Sequence, residues 1–206
     1  MHYSLRKTLL SLLGLAVVAA ALLLAYKTQE QARSTPGIAL ADKPQGGDFT
    51  LQSAAGPLSS RAYRGQVLLI YFGYTYCPDI CPTSLATAAA ALESLSPAEL
   101  GQVQGLFISV DPERDTPARL KDYAAFFHPK ILGATGSVQE VAAVAQAYGA
   151  SYARQEVKSE GGYVVDHSSS LYLVAPDGHL AAALPHGTPP ADVAQAIRSL
   201  LPRSPS

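Results

Sequence analysis

Gly73-Tyr-Thr-Tyr-Cys77-Pro-Asp-Ile-Cys81-Pro82 is the stretch on which the reading of this 206-residue chain turns. Residues 67–73 before it form an unbroken apolar run, Val-Leu-Leu-Ile-Tyr-Phe-Gly, which fits a strand buried on both faces. Residues 82–95 after it are rich in alanine, with Leu85, Ala89 and Leu92 at helical spacing. Pro82 stands where the first turn of a helix tolerates proline. Two cysteines therefore sit at a strand-to-helix junction, and in open α/β sheets ligands bind outside the carboxyl ends of the strands.

Working outward, residues 106–110 read as a second buried strand, and Thr116-Pro117 opens a helix carrying Leu120, Tyr123 and Phe127. Ser137 caps a further helix through Val141, Val144 and Tyr148, ended by Gly149. Residues 171–174 and 180–183 flank Pro176-Asp-Gly178, a turn sequence that predicts a hairpin, and residues 190–201 form a last helix. The order βαβα, then α, then ββα predicts an α/β sandwich around a mixed central sheet.

Fifteen Lys and Arg against sixteen Asp and Glu leave a formal charge of −1, which excludes a general basic surface for nucleic acid. A hydrophobic content of 48% with 15% charged residues excludes wholesale disorder. Two cysteines are too few for a disulfide scaffold, and the single Met is the first residue, so no internal thioether is available as a ligand.

Residues 9–25 carry no charge, with Arg6 and Lys7 before them and Lys27 and Arg33 after them. The run is slightly short of the roughly 20 residues that cross a bilayer core but lies within the tolerated range. A cleaved signal peptide is the rival: Ala19 and Ala21 offer a small-x-small site, yet a cut there leaves an apolar new N-terminus. The expectation is a single N-terminal transmembrane helix within residues 1–27, a polar linker over 28–46, a folded domain over 47–201 and a tail over 202–206. The flanking positive charges balance, and the α-amino group tips the orientation towards a cytoplasmic N-terminus. The folded domain is then expected on the extracytoplasmic, periplasmic side of a bacterial cell membrane.

The cysteine pair can do two things: cycle between dithiol and disulfide, or clamp a soft metal ion. At i and i+4 on a helical turn the two side chains share a face, at a separation that a disulfide accepts. A permanent staple would close so short a loop that it adds little stability. A metal needs a further ligand, and imidazole is the natural third for Cu(I), with zinc an alternative for the same donors. His128 reads as a helix-end cap, His179 and His186 as solvated loop residues, and His2 precedes the anchor. His167, in Asp166-His-Ser-Ser-Ser170, stands just before an inner strand, where spacing does not separate a ligand from a surface histidine.

The chain resembles the Sco/SenC family of membrane-anchored, thioredoxin-like proteins that deliver copper during cytochrome c oxidase assembly. The resemblance spans residues 47–201. It rests on Gly47-Asp-Phe-Thr-Leu51, the cysteine stretch, Ser109-Val-Asp-Pro-Glu-Arg-Asp-Thr-Pro117, Phe127-His-Pro-Lys130 and Asp166-His167. It implies a thioredoxin-like sandwich and copper as Cu(I), Cu(II) or both, held by Cys77, Cys81 and His167. The partners it implies are the oxidase subunit bearing the copper centre, a copper donor protein and a thioredoxin-like reductant. Asp111, and less so Asp79, could brace the ligands from behind without binding metal. Two departures stand out: Tyr76 occupies a position where many members have His, and residues 152–162 form a short segment that could shape a docking loop. A metallochaperone without turnover is the expected function. The alternative is a membrane-anchored thiol–disulfide oxidoreductase that keeps a partner's copper-ligand cysteines reduced, with Cys77 and Cys81 as a redox disulfide. A peroxiredoxin-type peroxidase is set aside, because Tyr74 and Ile70 stand where that pattern needs Thr and Pro.

Overall fold

A computed structural model describes residues 44–156 and 162–202. The expected anchor, most of the linker and most of the tail lie outside the described residues. Among the described residues no helix is long and apolar enough to cross a membrane.

The elements run β1 (Thr50–Ser53), β2 (Gly56–Ser59), β3 (Val67–Gly73), α1 (Ile80–Glu93), a short α2 (Pro97–Leu100) and β4 (Val103–Ser109). They continue through α3 (Pro117–Phe127), β5 (Ile131–Ala134), α4 (Val138–Tyr148), β6 (Tyr152–Glu156), β7 (Tyr163–His167), β8 (Leu171–Val174), β9 (Leu180–Leu184) and α5 (Pro190–Leu200). A five-stranded mixed sheet has the order β5-β4-β3-β8-β9. β3 and β4 pair in parallel, as do β4 and β5, whereas β3 with β8 and β8 with β9 are antiparallel. Every residue of β3 and β4 is buried, as strands covered on both faces require.

Alternation along β3 sends neighbouring side chains to opposite faces, and the ring contacts identify each face. Tyr71 stacks on Phe107 at 6.3 Å, and Phe107 meets Tyr123 of α3, so α3 covers that face. Phe72 points the other way, onto Tyr172 and onto Tyr148 of α4. Thr116 and Ser137 cap α3 and α4 through their side chains, Ser137 in a reciprocal capping box with Glu140. Gly149 ends α4 at φ +68°. The 180s hairpin forms as β8 and β9, its turn closed by Gly178 N–H on the Ala175 carbonyl at 2.8 Å.

The structure adds elements the pattern analysis lacked. β1 and β2 form a separate hairpin, tied to the end of β5 by paired backbone bonds between Gln52 and Thr135. β5 is a four-residue edge strand containing Gly133, too short to show a period. β6 and β7 form a hairpin outside the main sheet, so β6 occupies much of the segment expected to be loop. α1 begins at Ile80 rather than Pro82, which places Cys81 inside the helix and Cys77 before it.

Close packing of α3 on β5 depends on Gly133, where an added Cβ would lie 2.4 Å from the backbone oxygen of Leu120. Helix backbone cannot yield as a flexible side chain can. Gly133→Ala should destabilise the domain by about 1–3 kcal/mol, seen as a lower midpoint in urea unfolding with an unchanged slope.

Candidate metal centre

β3 runs out at Gly73, and the chain turns through Tyr74–Asp79 into α1. This turn is fixed from beneath by Asp115, buried and accepting from the Thr75 N–H at 2.9 Å, from Thr75 Oγ1 and from Ser109 Oγ. Cys81 follows in the first turn of α1 and is fully buried. Its sulfur fits against the strand because Gly73 has no side chain: a Cβ there would stand 2.7 Å from Cys81 Sγ. Cys77 is half-buried, and its sulfur accepts the backbone N–H of Cys81 at 3.4 Å. The Asp79 side chain makes no capping bond, so the Cys77 sulfur takes up a donor that a helix start otherwise leaves unpaired.

His167 is the last residue of β7, delivered from the far end of the chain by a hairpin that crosses to this corner. Its Nε2 lies 3.2 Å from Cys81 Sγ. Its Nδ1 lies 3.0 Å from the Ser168 carbonyl oxygen, which can only accept, so Nδ1 carries the proton and donates it. In the neutral ring that leaves the Nε2 lone pair directed at the sulfur, the tautomer a metal-binding imidazole needs. Tyr71 and Tyr74 meet the imidazole edge-on, at 6.0 and 5.8 Å between ring centres. One donor atom from each of Cys77, Cys81 and His167 fits within a group 4.8 Å across.

Burial pushes the Cys81 thiol well above its ordinary value; a backbone hydrogen bond from Tyr74 opposes this, and the adjacent Cys77 sulfur adds to it. Cys81 therefore keeps its proton through the neutral range and shares it with His167 Nε2. Both cysteines are free thiols. Two soft sulfurs and one imidazole nitrogen, in a pocket walled by tyrosines, suit a thiophilic ion of low coordination number.

The other candidates lie elsewhere. Asp79 is exposed, and its backbone carbonyl rather than its carboxylate is used, accepting from Thr83. Asp111 is buried, but its carboxylate bonds Arg114 and the Tyr163 hydroxyl rather than a cysteine or His167. His128 is the C-terminal cap residue of α3, accepting the Lys130 N–H on Nδ1, and burial lowers its pKa. His179 is exposed. His186, expected to be merely solvated, has its Nδ1 3.0 Å from Ser84 Oγ of α1. Pattern reading missed the role of Asp115. A Ser-x-Asp-x-x-x-Asp spacing signals two carboxylates near a strand end, but not which one turns inward.

Because the Cys81 proton must leave when a metal arrives, metal affinity should rise with pH, about tenfold per unit for each proton released. The thiol titrates high, so the rise should continue through neutrality rather than level off below it. Competition titrations between about pH 6 and 8 would measure the slope; a flat profile would mean that Cys81 does not ligate as thiolate.

Residues 39–202 match the SCO1/SenC family. The mitochondrial SCO2 homologue of Bos taurus is 45% identical over 135 residues, covering 64% of this chain and 50% of that protein. The chain thus matches about half the length of such relatives. The copper-bound ScoI structure of Bradyrhizobium japonicum is 36% identical, with a TM-score of 0.69 over 76% of this chain and 99% of that one. BsSco, a member of the Sco family of cytochrome c oxidase assembly proteins with an identified disulfide switch, is 32% identical, with a TM-score of 0.60 over 76% and 92%. The thioredoxin-like mixed sheet and the cysteine–histidine corner thus accompany an extended sequence match, and the chain belongs to the SCO1/SenC family.

Proposed function

We propose that this protein is a copper metallochaperone for the binuclear copper centre of cytochrome c oxidase, holding its cargo through Cys77, Cys81 and His167. One observation carries the reading: three donors from positions 77, 81 and 167, of the types that suit copper, lie within 4.8 Å of one another. A site of two thiolates and one imidazole can keep Cu(I) with few ligands and still release it by ligand exchange to a partner. Cys77, the more exposed sulfur, is the side from which a partner's ligand can enter, while buried Cys81 and the tyrosine-walled His167 retain the ion. The recipient is the oxidase subunit that bears the copper centre, and a separate copper donor loads the site. The N-terminal apolar segment tethers the domain on the extracytoplasmic side of a bacterial membrane, where the domain meets that subunit.

A second reading, thiol–disulfide exchange, draws support from the unequal cysteines. Half-buried Cys77 can attack a partner disulfide, and Cys81 beneath it can resolve the mixed disulfide. The two readings share the sulfurs and so exclude each other at any instant: a thiolate donates to copper, whereas a disulfide sulfur is a poor ligand.

His167→Ala should retain weak Cu(I) binding by the thiolate pair but strongly impair Cu(II), which favours nitrogen. The oxidised protein should bind no copper at this corner until a reductant is added. Copper titration of reduced, oxidised and His167→Ala forms, followed by absorption spectra, tests both statements. Wild-type Cu(II) spectra from the variant would remove His167 from the ligand set, and tight binding by the oxidised form would end the shared-site account.

A further inference from the structure

Among the described residues the hairpin that bears His167 pairs with no strand of the main sheet, so side-chain links hold its imidazole at the cysteines. One link is the Val165 N–H donating to the Tyr74 hydroxyl at 3.3 Å. A second joins Arg154 of β6 to Glu113 at 3.0 Å, and a third set converges on Arg114, which with Glu113 lies in the loop after β4. Its Nε donates to Asp111, and its NH1 donates to the Tyr163 carbonyl at 3.1 Å. The Tyr163 hydroxyl returns to the other oxygen of Asp111 at 2.7 Å, closing a ring of hydrogen bonds among three residues. Tyr163 is the first residue of β7, and His167 is the last.

The same guanidinium is also stacked. Its central carbon lies 3.6 Å from the Tyr163 ring centre and 4.7 Å from that of Tyr76, the residue immediately before Cys77. Arg154 of β6 lies 3.7 Å from the Tyr163 centre, and Arg119 of α3 lies 4.3 Å from that of Tyr76. At 3.6 and 3.7 Å from the Tyr163 centre, Arg114 and Arg154 take opposite faces of that ring. The result is an alternating series of ring–guanidinium contacts, Arg154–Tyr163–Arg114–Tyr76–Arg119, that runs from the histidine hairpin to the cysteine loop. Cation–π contacts of this kind are strongest where water is excluded, and Arg114 is the most enclosed arginine of the stack, with 17% of its side chain exposed. Its planar fork serves the carboxylate and the two ring faces at once, which an ammonium cannot do.

We infer that Arg114 is a positioning residue for the metal site: it fastens the β6–β7 hairpin to the Cys77 loop and so presets His167 against the thiols before metal arrives. Tyr76, the residue before Cys77, is the partner that completes the series on the cysteine side. This inference rests on the copper reading for its effect on binding, but not for its effect on the metal-free hairpin.

The test uses the full chain and two measurements. In the metal-free protein, Arg114→Ala should speed hydrogen exchange of the amides in β6 and β7 by at least about tenfold, leaving β3 and β4 protected. In copper titration, Arg114→Ala should lose about 10- to 100-fold in affinity, the loss typical of removing a residue that orients a ligand. Combining it with His167→Ala should add nothing further, because both changes remove the same imidazole. Arg114→Lys should not restore the affinity. Tyr163→Phe, which keeps the ring contacts and loses the hydroxyl's bonds to Asp111 and Glu113, should move both readouts in the same direction by less, and provides the test if Arg114→Ala does not fold. Unchanged hairpin exchange in Arg114→Ala, or in Tyr163→Phe should Arg114→Ala not fold, would overturn the inference. So would a double variant whose losses add in full. If His167→Ala alone left copper binding untouched, the copper reading would fail, and the exchange measurement would still decide the role of Arg114.

Discussion

The approach of Cys81 to the end of β3 is the constraint on which the rest of this corner depends. A buried sulfur can stand there only because Gly73 offers no Cβ and because α1 starts soon enough after the strand to carry Cys81 in its first turn. Burying a thiol is cheap while it is protonated and costly once it is ionised, so the Cys81 proton leaves only when something bonds to the sulfur in its place, such as a metal ion or, by exchange, a sulfur of a disulfide. The helix start adds a second sulfur, Cys77, whose hydrogen bond from the Cys81 N–H takes over the capping that Asp79 does not provide. Two sulfurs of unequal exposure, Cys77 half-buried and Cys81 buried, follow from one short turn.

The third donor arrives by a different route. Paired backbone bonds fix β3, β4 and β8 within the main sheet, but among the described residues the strands of the hairpin bearing His167 pair only with each other. Position there is a matter of side-chain chemistry: the Tyr74 hydroxyl, the buried Val165 and the Arg114 cluster. The copper-carrying role proposed above would have reason for this arrangement. A ligand on the main sheet would be rigid but hard to withdraw, whereas one on a strapped hairpin can be preset and still yield during transfer.

Much of the scaffold was legible in the chain because it is set by long, buried patterns. The apolar run of β3, the alanine-rich face of α1, the Ser137 cap of α4 and the Asp-Gly turn before β9 each carry a local signal. What was not legible is held by tertiary contact. β5 is four residues with a glycine, β6 is Tyr-Ala-Arg-Gln-Glu, exposed beyond its half-buried Tyr152, and β1 and β2 are short and partly polar. None has a period long enough to declare itself. At the site, the cysteines announced themselves by type and spacing, but His167 did so only through resemblance to a family. Sequence reading singled out Asp111, yet Asp115 fixes the cysteine turn through Thr75 while Asp111 binds Arg114, a division made by which way each carboxylate turns beneath the strand ends.

The central claim is that a single ion is held by two sulfurs and one nitrogen drawn from Cys77, Cys81 and His167. X-ray absorption at the copper edge, on reduced protein loaded with one equivalent of Cu(I), tests it most directly, because scattering from sulfur and nitrogen differs in distance and strength. The account predicts a first shell fitted by two sulfurs and one imidazole nitrogen, with the outer-shell features of the imidazole ring. A shell of sulfur alone, or of nitrogen and oxygen without sulfur, would contradict it.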